Sequence, residues 1–363
     1  MIDFEKTIDE IIEAAHHRRE MEVIKEQAVS GKSIILFGAG NCGHIVYRFL
    51  EREGVPVAAF CDNKLAGSVD EETNVGIIGV EELAADPKRF FVLITVADEP
   101  IYQKIYAQLM ELGFDGSQCL YMEHYIERIP IDFLVRNRKR YRAVFDLLAD
   151  EISREVYMER IKRVFLLSDI SHVMRPAEEQ YFDQKVGLTE QEVFVDCGAY
   201  IGDTAMEFIK RAEGKYKQIY MFEAEASKFK QIRENLTGYS YKLYPYGVWS
   251  DNTVLCFDAD GSSASKVSDH GTGIQVEAVA LDNVEFEETP TFIKMDIEGA
   301  EKEALFGAKN MISAYHPKLA ICVYHRWEDL FELPLLIKEF YSDYKLYIRH
   351  YSDHFAETVC YAI

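Results

Sequence analysis

Twice along this chain a run of apolar residues stops at a glycine-rich turn and a helix-like segment follows. The first case is "SIILFGAGNCGHIVYRFL" at 33–50 and the second is "VFVDCGAYIGDTAMEFI" at 193–209. An apolar strand that enters a helix through a tight turn opens a βαβ unit, whose parallel strands need cover on both faces. Two such openings in 363 residues, 48% of them hydrophobic, predict two domains, each with its own core.

The alternation continues after each opening. "VPVAAFCDN" and "FFVLITVA" read as further strands, and "IYQKIYAQLMELG" as a helix, closing a first unit near residue 126. "VRNRKRYRAVFDLLADEISREVYMERIKRVFLL" has helical spacing, many charges and no strand signal, so it reads as a connector. Strands resume at "EVFVDCG" and run through "QIYMFEAE", "YKLYPYGVWS", "TFIKMDIEG" and "KLAICVYH"; helices are expected at 202–213, 227–236, 299–312 and about 327–340. The last two runs, "YKLYIRHY" and "ETVCYAI", are separated by a short turn, which suits an antiparallel pair. The expected fold is therefore α/β, with two doubly wound, mostly parallel sheets joined by a helical connector. Its parts are an N-terminal helix at 1–29, a Rossmann-like nucleotide-binding domain at 30–126, the connector at 127–180 and a second α/β domain at 181–363.

Lys and Arg total 40 against 62 Asp and Glu, and a formal charge of -22 repels phosphate backbones and anionic membranes. The seven cysteines show no zinc spacing and read as reduced core residues. The first residues lack the apolar stretch of a secretion signal, and no segment reaches the roughly 18 apolar residues of a membrane span. The expectation is a cytoplasmic protein that engages neither nucleic acid nor membrane.

The two turns differ in charge. Gly38, Gly40 and Gly43 follow a strand and open a helix, with Asp62 at the end of the next strand, which is the spacing of a dinucleotide-binding turn. Glycines that only permit a tight turn are the alternative. The second turn carries Asp196 at the strand end, then Gly198, Ala199, Tyr200, Gly202, Asp203 and Thr204. A carboxylate there repels a pyrophosphate and suits the cationic amino-acid end of S-adenosylmethionine. Glu223, ending the next strand, can accept both hydroxyls of that donor's ribose, or can be a solvated strand-end acid. Ser262 and Ser263, in "DADGSSAS", are candidates for the adenine edge or simply part of an exposed turn.

Asp296, Glu298 and His325 end two further strands, where ligands of open α/β sheets bind. Methyl transfer to a hydroxyl needs alignment and a proton acceptor, and His325 is the favoured base over a role as a solvated loop histidine. Arg349, His350 and His354 are further candidates to line the pocket. A metal on Asp296 and Glu298 lacks an evident third ligand, so none is expected.

With these residues assembled, the second half resembles the FkbM family of S-adenosylmethionine-dependent methyltransferases. The resemblance rests on "YFDQ", "EVFVDCGAYIGDT", "FEAEASKFKQIREN", "VALDNV" and "FIKMDIEGAEKEALFGA". It implies the seven-stranded class I methyltransferase sheet, O-methylation of hydroxyls in sugars or polyketide-type metabolites, and a donor cradle at Asp196, Gly198, Gly202 and Glu223. Many members have a glutamate in the strand matching "LAICVYH", where this chain has Cys322, Val323, Tyr324 and His325. The first domain resembles the nucleotide-sugar-binding modules that precede some sugar acyltransferases, which implies a saccharide or nucleotide-linked acceptor. Two rival readings remain at this level: an NAD(P)-dependent or nucleotide-sugar-modifying enzyme using the first turn, and a non-catalytic nucleotide-sugar-binding protein.

Overall fold

The computed structural model describes residues 2–16, 20–96, 99–122, 131–166, 168–257, 274–352 and 356–363. The chain forms two compact units, one of residues 10–131 and one of residues 1–9 with 132–363.

In the 10–131 unit, strands β1 (Ser33–Phe37), β2 (Val57–Cys61), β3 (Ile77–Ile78), β4 (Phe90–Ile94) and β5 (Cys119–Tyr121) lie in the order β3-β2-β1-β4-β5. All their pairings are parallel. Because side chains alternate across a strand, Ile34, Leu36 and Phe91 fill one face of the sheet while Ile35, Phe37 and Val92 fill the other. Double-sided burial explains why these strands read as unbroken apolar runs.

The second unit contains β6 (Val193–Cys197), β7 (Gln218–Phe222), β8 (Lys242–Tyr244), β9 (Gly247–Val248), β10 (Thr253–Phe257), β11 (Ile274–Val279), β12 (Phe292–Met295), β13 (Lys318–Cys322), β14 (Leu346–His350) and β15 (Thr358–Ala362). Seven of these form one sheet, β14-β15-β13-β12-β6-β7-β8, with β15 antiparallel to both neighbours as the short return predicts. Stacked and tilted rings of Phe194, Phe208 and Phe292 fill one face, and each fully buried ring contributes about 1.5–3 kcal/mol.

Three elements differ from the sequence expectation. The single strand expected over 241–250 is two: β8 ends before Pro245, which has no amide to donate, and β9 joins a separate sheet, β10-β11-β9. The helix expected over 299–312 breaks into Glu301–Phe306 and Lys309–Tyr315. Asp282 causes the break, donating its amide to Gly307 O and accepting from the Asn310 and Met311 amides at 2.8 Å each. The first helix is also two, Phe4–His16 and Glu20–Val29. Phe4 packs on Phe145 at 5.2 Å and Arg138 pairs with Glu5 and Asp9, whereas Ile24 lies in the core of the other unit.

The helices Ile131–Leu147 and Glu151–Leu166, expected as a connector, continue into the second unit. Ala149 donates its amide to Leu346 O at 2.9 Å, which covers the edge strand β14. Arg349 of β14 reaches Asp150 at 2.8 Å, Asp183 at 3.1 Å and Ser153 Oγ at 2.8 Å. Arg349 is thus an interior clamp and not a pocket residue. His350 is equally buried, 2.9 Å from Thr358 Oγ1, and His354 lies outside the described residues.

Candidate active site

In the seven-stranded sheet the chain runs outward from β6 to β8 and returns at β12 on the other side of β6, so the strand order reverses between β6 and β12. That switch point is where open α/β sheets bind ligands. The turn after β6 and the loop after β12 meet there. A Cβ on Gly198, whose φ is +80°, would stand 1.9 Å from Asp296 O, so only glycine fits.

The turn is held from the next strand. Glu223, half-buried just past β7, accepts the Tyr200 amide with Oε2 at 2.8 Å and the Glu225 amide with Oε1 at 2.7 Å. Burial pushes its carboxyl above the ordinary range, and the two amides only partly offset that. Each oxygen keeps a lone pair for another donor. Ala199 is buried, Tyr200 is 53% exposed with Lys228 Nζ 4.5 Å from its ring centre, and Gly202 at φ +82° precedes the helix Asp203–Arg211. Asp203 Oδ1 accepts the Thr204 amide at 3.0 Å in that helix's first turn. Ser262 and Ser263 lie outside the described residues.

Asp196 is fully buried, and β6 pairs with β12 so that Lys294 is its direct neighbour. The Lys294 ammonium lies 3.0 Å from Asp196 Oδ1 and donates to Gly198 O at 2.8 Å and Cys197 O at 3.3 Å. Burial alone would discharge Lys294, but the carboxylates of Asp196 and Asp296 outweigh it and hold the ammonium charged. The carboxylate expected to be free for a ligand therefore spends its charge on a buried lysine.

Asp296, Glu298 and His325 do come together. Asp296 Oδ2 accepts the Tyr181 hydroxyl at 2.6 Å and Oδ1 the Tyr324 hydroxyl at 3.3 Å. His325 Nε2 lies 3.4 Å from Asp296 Oδ1 and 3.6 Å from Glu298 Oε2, while Nδ1 faces the buried Glu301 Oε1 at 2.9 Å. Glu301 Oε1 also accepts the Ile297 amide at 2.9 Å. Gln180 bridges this group to Glu357.

Burial would lower the His325 pKa, but Glu301, Asp296 and Glu298 overcome it and raise the ring to about 9. Asp296 is held below the ordinary carboxylate range, burial being outweighed by Lys294 and His325. Burial raises Glu298. At neutral pH the group is therefore an imidazolium among carboxylates, so His325 does not stand ready as the expected base. Asp296, Glu301 and His325 also each offer a ligand atom within 4.8 Å of the others.

Sequence reasoning passed over Tyr181, Lys294 and Glu301. Lys294 left a signal: a lysine inside the apolar run "TFIKMD" must be buried and needs a counterion. Tyr181 and Glu301 stand inside the quoted stretches "YFDQ" and "FIKMDIEGAEKEALFGA", but only the fold shows that their side chains reach the site.

In the 10–131 unit the three glycines divide their tasks. Gly38 has φ +117° with Thr95 O 2.8 Å from where a Cβ would stand, and a Cβ on Gly43 would meet Gly38 O at 2.1 Å. Gly40 faces open space at the head of the helix Asn41–Arg52. Asp62 Oδ1 accepts the Lys64 and Leu65 amides at 2.8 and 3.3 Å. The order β3-β2-β1-β4-β5 makes β1 and β4 adjacent and so places this turn at the switch point of its sheet.

The seven-stranded order, its antiparallel β15, and the glycine turn followed by a strand-end acid define a class I methyltransferase fold. Within that class, residues 196–352 match the family model described as the Methyltransferase FkbM domain. Among solved structures, the chain is similar to the methyltransferase FkbM from Methylobacillus flagellatus, with 20% identity and a TM-score of 0.73 over 99% of this chain and 100% of that one. A precorrin-6y C5,15-methyltransferase from Geobacter metallireducens is 12% identical, with a TM-score of 0.32 over 50% of this chain and 84% of its own. A TehB-like SAM-dependent methyltransferase from Corynebacterium glutamicum is 10% identical, with a TM-score of 0.29 over 57% of this chain and 96% of its own. No protein of curated function matches the chain. Among the described residues, no helix is long and apolar enough to cross a membrane.

Proposed function

We propose that the second unit transfers a methyl group from S-adenosylmethionine to a hydroxyl of a small molecule, with a saccharide or nucleotide-linked sugar as the acceptor class. The observation that carries this reading is the meeting of two parts at one sheet edge. The turn held by Glu223 touches the loop of Asp296 at Gly198, so a donor on the turn faces a group suited to an acceptor's proton.

The residues fit the donor. Glu223 has lone pairs left for two ribose hydroxyls, and no phosphate has to be accommodated beside the acids. Asp196 acts as an anchor: by holding Lys294 it fixes the Cys197 and Gly198 carbonyls and thereby the path of the turn. When bound, the sulfonium supplies an electrophilic methyl; the acceptor oxygen bonds to it as the carbon–sulfur bond breaks, giving the methyl ether, S-adenosylhomocysteine and the hydroxyl proton. Asp296, Glu298 and His325 orient the acceptor, the carboxylates of Asp296 and Glu298 receive that proton, and Tyr181 and Tyr324 fix Asp296 for the task.

A second reading concerns the 10–131 unit, which we propose binds a nucleotide. Gly38 makes the turn, Gly43 packs the helix and Gly40 leaves room for a pyrophosphate, with Asp62 Oδ2 left for a ribose hydroxyl.

The test is methyl transfer from labelled donor across a panel of free and nucleoside-diphosphate-linked sugars, with non-sugar alcohols and amines as controls. Label retained in an acid- and base-stable ether of a sugar supports the reading. Label only on nitrogen, or on none of the panel despite donor binding, contradicts hydroxyl methylation of sugars.

A further inference from the structure

We propose that Asp296, Glu298 and His325 bind a divalent cation of the Mn2+ type, with Glu301 holding the imidazole in place. Three observations converge on this. First, the spacing suits ligands better than direct bonds: His325 Nε2 stands 3.4 Å from Asp296 Oδ1 and 3.6 Å from Glu298 Oε2. Those separations exceed ordinary hydrogen bonds; ligands about 2.1–2.4 Å from one octahedral cation stand about 3.0–3.4 Å apart, a spacing the Asp296 contact meets and the Glu298 contact overshoots slightly.

Second, the other ring nitrogen has a carboxylate beside it. Nδ1 faces Glu301 Oε1 at 2.9 Å, and a carboxylate on one imidazole nitrogen fixes the tautomer that turns the other toward a metal. Third, Glu301 is 0% exposed and its Oε2 has no hydrogen-bond partner among the described residues, although this carboxylate lies in the same 4.8 Å cluster. A buried acid left in this condition requires positive charge nearby. Lys294 is committed to Asp196 and the turn carbonyls, and the His325 imidazolium beside Glu301 Oε1 is shared with Asp296 and Glu298, so neither supplies that charge in full.

The donor set is two carboxylates and one imidazole, a mixed oxygen and nitrogen set that a first-row divalent ion such as Mn2+ accepts and that Ca2+, which takes oxygen ligands, does not favour. Asp296 Oδ1, whose bond from Tyr324 at 3.3 Å is the longer of the two tyrosine bonds, keeps a lone pair for the cation while Oδ2 accepts from Tyr181, and the Glu298 side chain is about half exposed, leaving that side open to an acceptor. The use of the ion rests on the hydroxyl-methylation reading: the ion would bind the acceptor oxygen and lower its pKa, and with Asp296 and Glu298 serving as ligands the proton would pass to water in their place as the oxygen takes the methyl carbon. The binding of the ion does not rest on that reading.

The experiment follows loss of the free Mn2+ electron paramagnetic resonance signal on titration into the chelator-stripped full chain. S-adenosylhomocysteine binding is measured calorimetrically on the same samples. One Mn2+ site per chain is expected, weakened at least tenfold in Glu298→Gln, whose exposed side chain does not endanger the fold, and in His325→Asn. Glu301→Gln is expected to weaken it about 10–100-fold. Unchanged Mn2+ affinity in Glu298→Gln and His325→Asn, or no Mn2+ site in a chain that binds S-adenosylhomocysteine, overturns the inference. Mn2+ binding that depends on these residues without S-adenosylhomocysteine binding supports the cation site and removes the donor reading instead.

Discussion

At the scale of single residues, Lys294 and His325 carry the electrostatics of the site, and each sets a measurable consequence. Replacing Lys294 by methionine strands the Asp196 charge in a dry interior, which typically costs about 3–5 kcal/mol. Urea unfolding should show a loss of that order, and adding Asp196→Asn should recover most of it; a single variant as stable as wild type contradicts the pairing. His325 gives the opposite kind of test, through pH. Its folded pKa of about 9 lies above the ordinary value of about 6.5, so the native state binds the proton more tightly. The resulting stabilisation is complete below pH 6.5 and is lost as pH rises through 9, a fall of about 3 kcal/mol in metal-free protein. His325→Asn should flatten that slope in unfolding curves taken across the window. An identical slope in the variant assigns the effect elsewhere.

At the scale of elements, the strands that carry the site were legible because each is an apolar run with a glycine or acid at its carboxyl end, as in "VFVDCG" and "FIKMDIEG". Breaks within elements were not. Pro245 marks the division of β8 from β9 only once the second sheet is known, and the break at Gly307 depends on Asp282, far away in sequence. The role of Arg349 was hidden for the same reason, since its partners Asp150 and Asp183 come from other elements. That clamp ties β14 to the helix Glu151–Leu166, so Arg349→Leu should lower stability by about 3–5 kcal/mol by leaving two acids unpaired. Asp150, which burial raises but Arg349 and Ser153 pull down to about 2, should then titrate near its ordinary value in an NMR pH series. A carboxyl that stays near 2 without Arg349 would assign the shift to the Ser153 bonds.

At the scale of the whole molecule, the two βαβ openings announced two parallel sheets, and both are present in the order their connections require. The charge at each turn is the basis for expecting a pyrophosphate at the first and a cationic donor at the second, although Lys294 neutralises Asp196 beside the latter. What composition cannot supply is proximity: the closeness of Gly198 to Asp296 and the clustering around His325 arise from parallel pairing of β12 with β6 and β13. For the 10–131 unit, the account expects Gly40→Val to abolish nucleotide binding while leaving the unfolding temperature nearly unchanged, because a Cβ there meets nothing. Equal affinity in wild type and variant, read by titration with a nucleoside diphosphate sugar or a nicotinamide dinucleotide, contradicts the role given to that turn.

The central claim is that the Gly198–Gly202 turn and Glu223 hold a methyl donor. Calorimetric titration of S-adenosylhomocysteine into the full chain tests it most directly. The account predicts micromolar binding, about -8 kcal/mol, weakened at least tenfold in Glu223→Ala. A folded protein that takes up no S-adenosylhomocysteine, or binds it equally well without the Glu223 carboxylate, contradicts the claim.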